Sequence, residues 1–256
     1  MKKIKIELII LTLIVGTGLV VGGLISVKAD TPLSGKLIAL DAGHGGDEVG
    51  AQYPANSGKD AKIYEKDVNL AVVYALKERL ENAGATVVLT RKCDETVSSR
   101  KSRVDMAIEE CKNLYGRKCD VLVSVHHDGS TNPDYDGLMV IYNEKQDIPL
   151  ATILHDVLWA SFSSNTSSTY VDEGLDHGGY GMTVYGHLVS ALTEAYYITN
   201  DWEAQQYLNG TTTTVCAMDS GNYSVLIGDR VNQEVDALYQ GLVNYFSIPP
   251  KKPGRK

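Results

Sequence analysis

The segment Lys36–Gly46, KLIALDAGHGG, constrains the fold of this chain more than any other stretch. Its first half, Lys36–Leu40, is a short apolar run of the kind that a buried strand needs. Its second half places three glycines around His44, just after an acidic residue at the end of the strand. Glycine lets the backbone turn sharply, and open α/β sheets bind their ligands beyond the strand ends. We therefore expect His44 to lie in a cleft, the alternative being a tight turn with a solvated histidine.

Apolar runs and helical repeats alternate along the rest of the chain. They predict strands at 36–40, 86–90, 121–126, 137–142 and 188–195, and helices at 64–83, 98–115, 150–162, 202–208 and 231–246. Segment 163–181, rich in serine, threonine and glycine, predicts a mobile loop, and segment 209–229 predicts an inserted loop that could carry a small hairpin. The alternation predicts an α/β fold: a single domain with a mostly parallel or mixed central sheet covered by helices on both faces.

The N-terminal segment has the pattern of an export signal. Three lysines fall within the first five residues, and residues 8–27 carry no formal charge. Val27-Lys28-Ala29 resembles a signal-peptidase site, although an uncharged stretch of this length can also remain as a membrane anchor. Both interpretations predict an extracytoplasmic protein, either secreted or anchored to the outer face of the cytoplasmic membrane, at the cell wall.

Charge and cysteine usage narrow the possible partners. The formal net charge is −8 and the leader is basic, so the remainder is more acidic still, which argues against nucleic-acid binding. Four cysteines stand at positions 93, 111, 119 and 216, and disulfides are permitted in an exported protein. Cys111 and Cys119 flank a short polar loop and are our preferred pair. Four buried thiols are the alternative, and the absence of any CxxC spacing argues against a cysteine metal site.

Three potential metal ligands fall near predicted strand ends. His44 follows the first strand, His126 ends the third, and Glu65 begins the helix that follows the loop after His44. Two imidazoles and one carboxylate, with a fourth position open for water, are typical of a catalytic zinc site. Glu194 lies in an otherwise apolar strand, where a buried acid needs a metal, a partner or a raised pKa. The spacing follows no local motif, so on its own it is a weak argument.

Four segments in matching order resemble the zinc-dependent N-acetylmuramoyl-L-alanine amidases, which cut peptide stems from the glycan strands of peptidoglycan. The segments are LIALDAGHGG, YEKDVNLAVVYALKERLENAGATVVLTR, DVLVSVHHD and LTEAYYITNDWEA. Together with the closing helix, the resemblance runs from about Lys36 to Phe246. Each segment alone is a weak signal, whereas four in register are a specific one.

The resemblance implies that His44, Glu65 and His126 bind Zn²⁺ and that Glu194 is the catalytic carboxylate. The implied reaction is hydrolysis of the amide between the lactyl group of N-acetylmuramic acid and L-alanine. It also implies an amidase catalytic domain at 36–247, which the leader at 1–29, a signal peptide or membrane anchor, precedes and a short basic tail at 248–256 follows. Peptidoglycan is the expected partner, and a regulatory protein is a further candidate.

Two features depart from the family pattern. His127 and Asp128 follow His126, where family members usually have a small residue and an asparagine. Because neighbours on a strand point to opposite faces, we predict His126 as the ligand, with His127 as the alternative; Asp128 could orient a ligand or substrate. The threonine-rich segment 209–229 is longer than expected, and either shapes the substrate groove or is a neutral surface loop.

Two other functions remain open at this stage. Another zinc peptidase acting on the stem peptide would use the same ligands and differ only in the bond that it cuts. An inactive cell-wall-binding module would lack a ligand or the catalytic glutamate, and all four positions are filled.

Overall fold

Ten strands and five α-helices are formed by the residues that the computed structural model describes, 31–179 and 181–249. The strands are β1 Leu37–Ala42, β2 Gln52–Tyr53, β3 Ile63–Tyr64, β4 Thr86–Leu89, β5 Val121–Asp128, β6 Asp136–Tyr142, β7 Tyr170–His177, β8 Ser190–Tyr197, β9 Thr211–Met218 and β10 Gly221–Ile227. The helices are α1 Glu65–Asn82, α2 Arg100–Tyr115, α3 Ile148–Phe162, α4 Asp201–Leu208 and α5 Asp229–Phe246. Every helix and strand predicted from the sequence is found, with bounds shifted by a few residues.

One mixed sheet of six strands, in the order β4-β1-β5-β8-β6-β7, forms the centre of the fold. Strands β4, β1, β5 and β8 run parallel, whereas β6 pairs with β8 in the antiparallel direction and carries β7 parallel to itself. Strand β1 is buried along its whole length, as expected for a central strand that is covered on both faces. The predicted mixed sheet is confirmed.

Helices cover both faces of this sheet, and alternate residues of β1 show how. Ile38 and Leu40 belong to the larger core, which α1, α3 and α5 complete. Ala39 belongs to a smaller core on the other face, where Val104 and Ala107 of α2 pack. This alternation follows from the two-residue period of a strand, and it confirms the predicted cover of helices on both faces.

The predicted mobile loop at 163–181 is wrong, because residues 170–177 form β7. Among the described residues this strand lies at the edge of the sheet and pairs with β6 alone. Tyr170 stacks on Trp159 of α3, with ring centroids 5.7 Å apart, while the other side chains of β7 are exposed or partly exposed. An edge strand of this kind needs no apolar run, so the pattern that reveals buried strands is missing.

The inserted segment 209–229 forms an antiparallel hairpin, β9–β10, which confirms the hairpin that the predicted loop could carry and occupies most of the segment. A disulfide joins Cys216 of this hairpin to Cys93, and the Tyr223 hydroxyl donates a hydrogen bond to Asp67 at the start of α1. The second disulfide joins Cys111 and Cys119, which confirms the preferred pair. The alternative of four buried thiols is therefore wrong.

The leader at 1–29 and residues 250–256 of the predicted tail lie outside the described residues. Within the described part of the chain, none of the helices combines the length and hydropathy that crossing a bilayer requires.

Candidate active site and metal centre

The structure brings His44, Glu65 and His126 together at one end of the sheet. Nε2 of His44 lies 3.0 Å from Oε2 of Glu65, and Nδ1 of His126 lies 3.0 Å from Oε1 of the same carboxylate. One possible ligand atom from each residue falls within 4.8 Å of the others. One carboxylate thus lies between two imidazoles, and we call these three residues the trio.

The turn after β1 positions His44. This residue adopts the left-handed backbone conformation, with a φ of 59°, which is uncommon outside glycine. The two following residues, Gly45 and Gly46, also have positive φ values, of 133° and 58°. Three consecutive residues with positive φ reverse the chain within a short distance, and the reversal directs the imidazole towards Glu65.

Glu65 reaches the site from the first residue of α1. The backbone amide of Ala51 donates a hydrogen bond to its Oε2 at 2.9 Å, and the amino end of a helix favours a negative charge. Gly50 leaves room for this carboxylate, because a Cβ atom at that position would lie 2.3 Å from Oε2. Residues Gly50 and Ala51, just before β2, therefore hold the Glu65 carboxylate in place.

Two buried arginines, which the sequence analysis missed, hold the turn after β1 in place. Arg91 donates to the carbonyl oxygen of Gly43 at 3.1 Å, and Arg103 donates to that of His44. Arg103 lies one helical turn before Ala107 on the buried stripe of α2, which is the signal that could have identified it. A charged side chain on an apolar stripe needs acceptors in the interior.

The charges of the trio stabilise one another in the absence of a metal. Burial by itself raises the pKa of the Glu65 carboxyl, but the hydrogen bonds and charges of His126 and His44 bring this pKa well below its ordinary value. Burial lowers the pKa of His44, but its hydrogen bond to Glu65 and the charge of that carboxylate outweigh burial, and the net shift is upward. The site thus favours a negative carboxylate with positive charge beside it, and a bound cation would take the place of the imidazole protons, since histidine binds metals in its neutral form.

The donor set also fits Zn²⁺, which binds imidazole nitrogens and carboxylate oxygens. Nδ1 of His44, on the side of the ring away from Glu65, lies 3.5 Å from Oε1 of Glu48. At this distance Nδ1 makes no hydrogen bond to Glu48, and it is a buried polar atom without a hydrogen-bond partner among the described residues. His44, Glu65 and His126 could therefore hold a zinc ion with a further coordination position open.

Glu194 lies beside the trio on the neighbouring strand, in register with His126 across the β5–β8 pair. Its Oε2 is buried and has no hydrogen-bond partner among the described residues. Burial raises the pKa of the Glu194 carboxyl well above its ordinary value, and the nearby charges of Glu65 and Asp128 raise it further. A carboxyl with a raised pKa beside a possible metal site is suited to accepting and returning a proton.

His127 points to the opposite face of β5 from His126, as strand alternation predicts. Its Nε2 lies 2.9 Å from Oε2 of Glu234 on α5, and only 1% of the residue is exposed. The His127 side chain is therefore outside the trio, although residues His127 and Asp128 both line the cavity beside it.

Two of the cavities in the described structure are lined by residues of the trio and by Glu194. The larger, of about 550 Å³, is lined by the trio and Glu194 together with Asp128 and Ser130. The smaller, of about 230 Å³, shares His44, His126 and Glu194 and adds Arg100 of α2. Both cavities therefore give access to His44, His126 and Glu194.

Comparison with known proteins supports an assignment on the basis of sequence. The family model described as N-acetylmuramoyl-L-alanine amidase matches residues 38–217. The germination-specific N-acetylmuramoyl-L-alanine amidase of Bacillus subtilis is 25% identical over 227 residues, which cover 84% of this chain and 82% of that protein. The probable cell wall amidase LytH of Staphylococcus aureus is 33% identical over 224 residues, covering 87% of this chain and 62% of LytH.

A similar fold is found in the CwlD amidase from Clostridioides difficile, whose structure is known in complex with the GerS lipoprotein. The TM-score is 0.61 at 23% identity, and the match covers 83% of this chain and 98% of CwlD. The sequence match spans the turn after β1, the start of α1, and strands β5 and β8, which carry the trio and Glu194. Since the family model covers well over half of the sequence, this chain belongs to the N-acetylmuramoyl-L-alanine amidase family.

Proposed function

We propose that this chain is a zinc-dependent amidase that hydrolyses the bond between the lactyl group of N-acetylmuramic acid and L-alanine in peptidoglycan. Family membership supports the reaction class. The observation that carries the zinc dependence is the trio, in which two imidazoles and one carboxylate offer ligand atoms within 4.8 Å of one another.

His44, Glu65 and His126 would hold the ion. When bound, zinc would supply Lewis acidity that polarises the scissile carbonyl and makes a water molecule a better nucleophile at neutral pH. Three protein ligands leave a coordination position for substrate or water, as in other catalytic zinc sites.

Glu194 is the proposed general base and general acid. Its unpartnered Oε2 accepts a proton as the oxygen of water forms a bond to the amide carbon. When the carbon–nitrogen bond breaks, Glu194 returns that proton to the departing α-amine of L-alanine. The other product retains the lactyl carboxylate of N-acetylmuramic acid. The raised pKa of the Glu194 carboxyl supports both proton transfers.

Because peptidoglycan lies outside the cytoplasmic membrane, the proposed substrate requires an extracytoplasmic domain. This agrees with the export signal predicted at 1–29. The similarity to a probable cell wall amidase supports the same location. CwlD forms a complex with a lipoprotein, so a regulatory protein partner is also a candidate for this chain.

The bond that is cut tests the proposal. Purified peptidoglycan would be digested with the protein, with and without a zinc chelator, and the new termini identified by mass spectrometry. We expect free stem peptides that begin with L-alanine, loss of these products with the chelator, and recovery on adding Zn²⁺. Cleavage within the stem peptide would favour the peptidase alternative, and the absence of products from zinc-loaded protein would favour an inactive binding module.

A further inference from the structure

A row of buried polar side chains leads away from the trio into the interior of the domain. Nδ2 of Asn69 donates to Oε1 of Glu65 at 3.1 Å. Nδ1 of His127 lies 2.7 Å from Oδ1 of Asn69, and Nε2 of His127 lies 2.9 Å from Oε2 of Glu234. All of these residues are at most 3% exposed. The row connects α1, β5 and α5, which are far apart in the sequence.

The direction of each hydrogen bond follows from the chemistry of the partners. Nδ2 of Asn69 faces Oε1 of Glu65 and also the carbonyl oxygen of Gly43 at 3.3 Å, and both are acceptors. The amide oxygen of Asn69 must therefore face His127, whose Nδ1 carries a proton and donates it. Glu234 engages the opposite nitrogen of the ring, so the imidazole is held on both sides.

Neither hydrophobic burial nor ordinary stabilisation accounts for this arrangement. Placing an imidazole and a carboxylate in the interior costs hydration free energy, and an apolar pair of similar volume often stabilises a protein equally well. An apolar pair, however, could not fix the orientation of the Asn69 amide. If that amide were turned over, its oxygen would face the Glu65 carboxylate and repel it.

We propose that His127 and Glu234 are positioning residues for the Glu65 carboxylate and act on it through Asn69. His127 holds the amide of Asn69 with its NH₂ group towards Glu65, and Glu234 holds the ring of His127. Glu65 is thereby kept between His44 and His126 with its charge available to a cation. This inference rests on the proposed role of Glu65 as a metal ligand.

The test measures the zinc dissociation constant of metal-free protein by competition with a chromophoric chelator. His127→Leu and Glu234→Leu should each raise this constant by about 10- to 100-fold, the range found for partners that orient metal ligands. The double variant His127→Leu/Glu234→Leu replaces the polar pair by an apolar one, which keeps the interior packed. It should fold and show the same loss of affinity.

Glu234→Gln is the conservative variant. The glutamine NH₂ group can donate to Nε2 of His127, which leaves the proton on Nδ1 for Asn69. Zinc affinity should therefore stay close to that of the unmodified protein. Leu238→Ala, one turn further along α5 and in the main core, is the control. It should lower the thermal stability of the metal-free protein without changing the zinc dissociation constant.

A double-mutant cycle shows whether the effect passes through Asn69. In an Asn69→Ala background, His127→Leu should cause little additional loss of zinc affinity, because residues that act as one unit are not additive. Unchanged affinity in the double leucine variant, or a full additional loss in the Asn69→Ala background, would overturn the inference. If the variants change zinc affinity as expected but the unmodified protein does not cut the lactyl amide, only the proposed reaction is overturned. Failure of the unmodified protein to bind zinc would overturn both.

Discussion

Gly43 and His126 are packed so closely that no side chain fits at position 43. A Cβ atom there would lie 2.3 Å from both Cε1 and Nε2 of the His126 imidazole. The backbone amide of Gly43 also donates to the carbonyl oxygen of Val125 at 3.0 Å, which continues the β1–β5 pairing up to the site. Gly43, the first glycine of DAGHGG, is therefore needed to leave room for His126 on the neighbouring strand β5, and not to turn the chain.

Gly43→Ala should displace the His126 imidazole and impair the site. A misplacement of about 1 Å at a catalytic centre can cost on the order of 100-fold in rate, so we expect a loss of that size in kcat/KM on muropeptides. Gly179→Ala is the matched control, since a Cβ atom there meets nothing within 4 Å. Normal zinc content and turnover in Gly43→Ala would show that the ring can move aside without consequence.

Glu194→Gln should separate metal binding from chemistry. Glutamine keeps the size of the side chain but cannot accept a proton from water, and positioned acid–base groups contribute roughly 100- to 10,000-fold to the rate. We expect kcat to fall within that range while zinc content, measured by elemental analysis, is unchanged. A variant that loses its zinc would make Glu194 a ligand, and one with near-normal turnover would remove it from the mechanism.

Asp41→Asn should destabilise the protein in a pH-dependent manner. Burial raises the pKa of the Asp41 carboxyl, but Arg103, with Nη1 at 3.0 Å, and hydrogen bonds from Ser124 and Thr90 bring it below the ordinary value of 3.8. The ionised carboxylate thus stabilises the fold fully above about pH 4, and this contribution is lost as the pH falls through the lower, folded-state pKa. Breaking a buried ion pair from one side costs about 3–5 kcal/mol at neutral pH.

Urea unfolding of metal-free protein at pH 7, 5 and 3 would measure this effect. The difference between Asp41→Asn and the unmodified protein should be largest at pH 7 and 5 and smaller at pH 3. Asp105→Asn removes a surface carboxylate that pairs with Lys101, and should change the free energy of unfolding by no more than about 0.5 kcal/mol. A difference that stays constant down to pH 3 would contradict the assigned charge of Asp41.

The two disulfides should contribute unequally to stability. Cys93 and Cys216 are separated by 123 residues, whereas Cys111 and Cys119 are separated by 8. Closing a longer loop removes more entropy from the unfolded chain, and the loss of a native disulfide typically costs about 2–5 kcal/mol. Thermal unfolding should therefore show a larger decrease for Cys93→Ser/Cys216→Ser than for Cys111→Ser/Cys119→Ser. Equal decreases would mean that native-state packing, rather than loop closure, sets the difference.

The sequence alone determined the features that depend on local periodicity and on order along the chain. Apolar runs and four-residue repeats located β1, α1, β5 and β8, the elements that carry or precede the trio and Glu194. The two-residue period of a strand predicted that His126 and His127 point to opposite faces of β5, and their contacts agree although the pairing with β8 is irregular between His126 and Asp128. The matching order of the four segments indicated the family and its reaction class.

Tertiary structure decided which distant side chains meet. No local pattern joins His127 to Glu234, which lies 107 residues further along the chain, or Cys93 to Cys216. The sequence did not predict the edge strand β7 for the same reason. This strand forms by pairing with β6 and has no apolar run of its own. Periodicity reports which face of an element is buried, but the identity of the partner depends on how several elements pack together, and that information is spread over the whole chain.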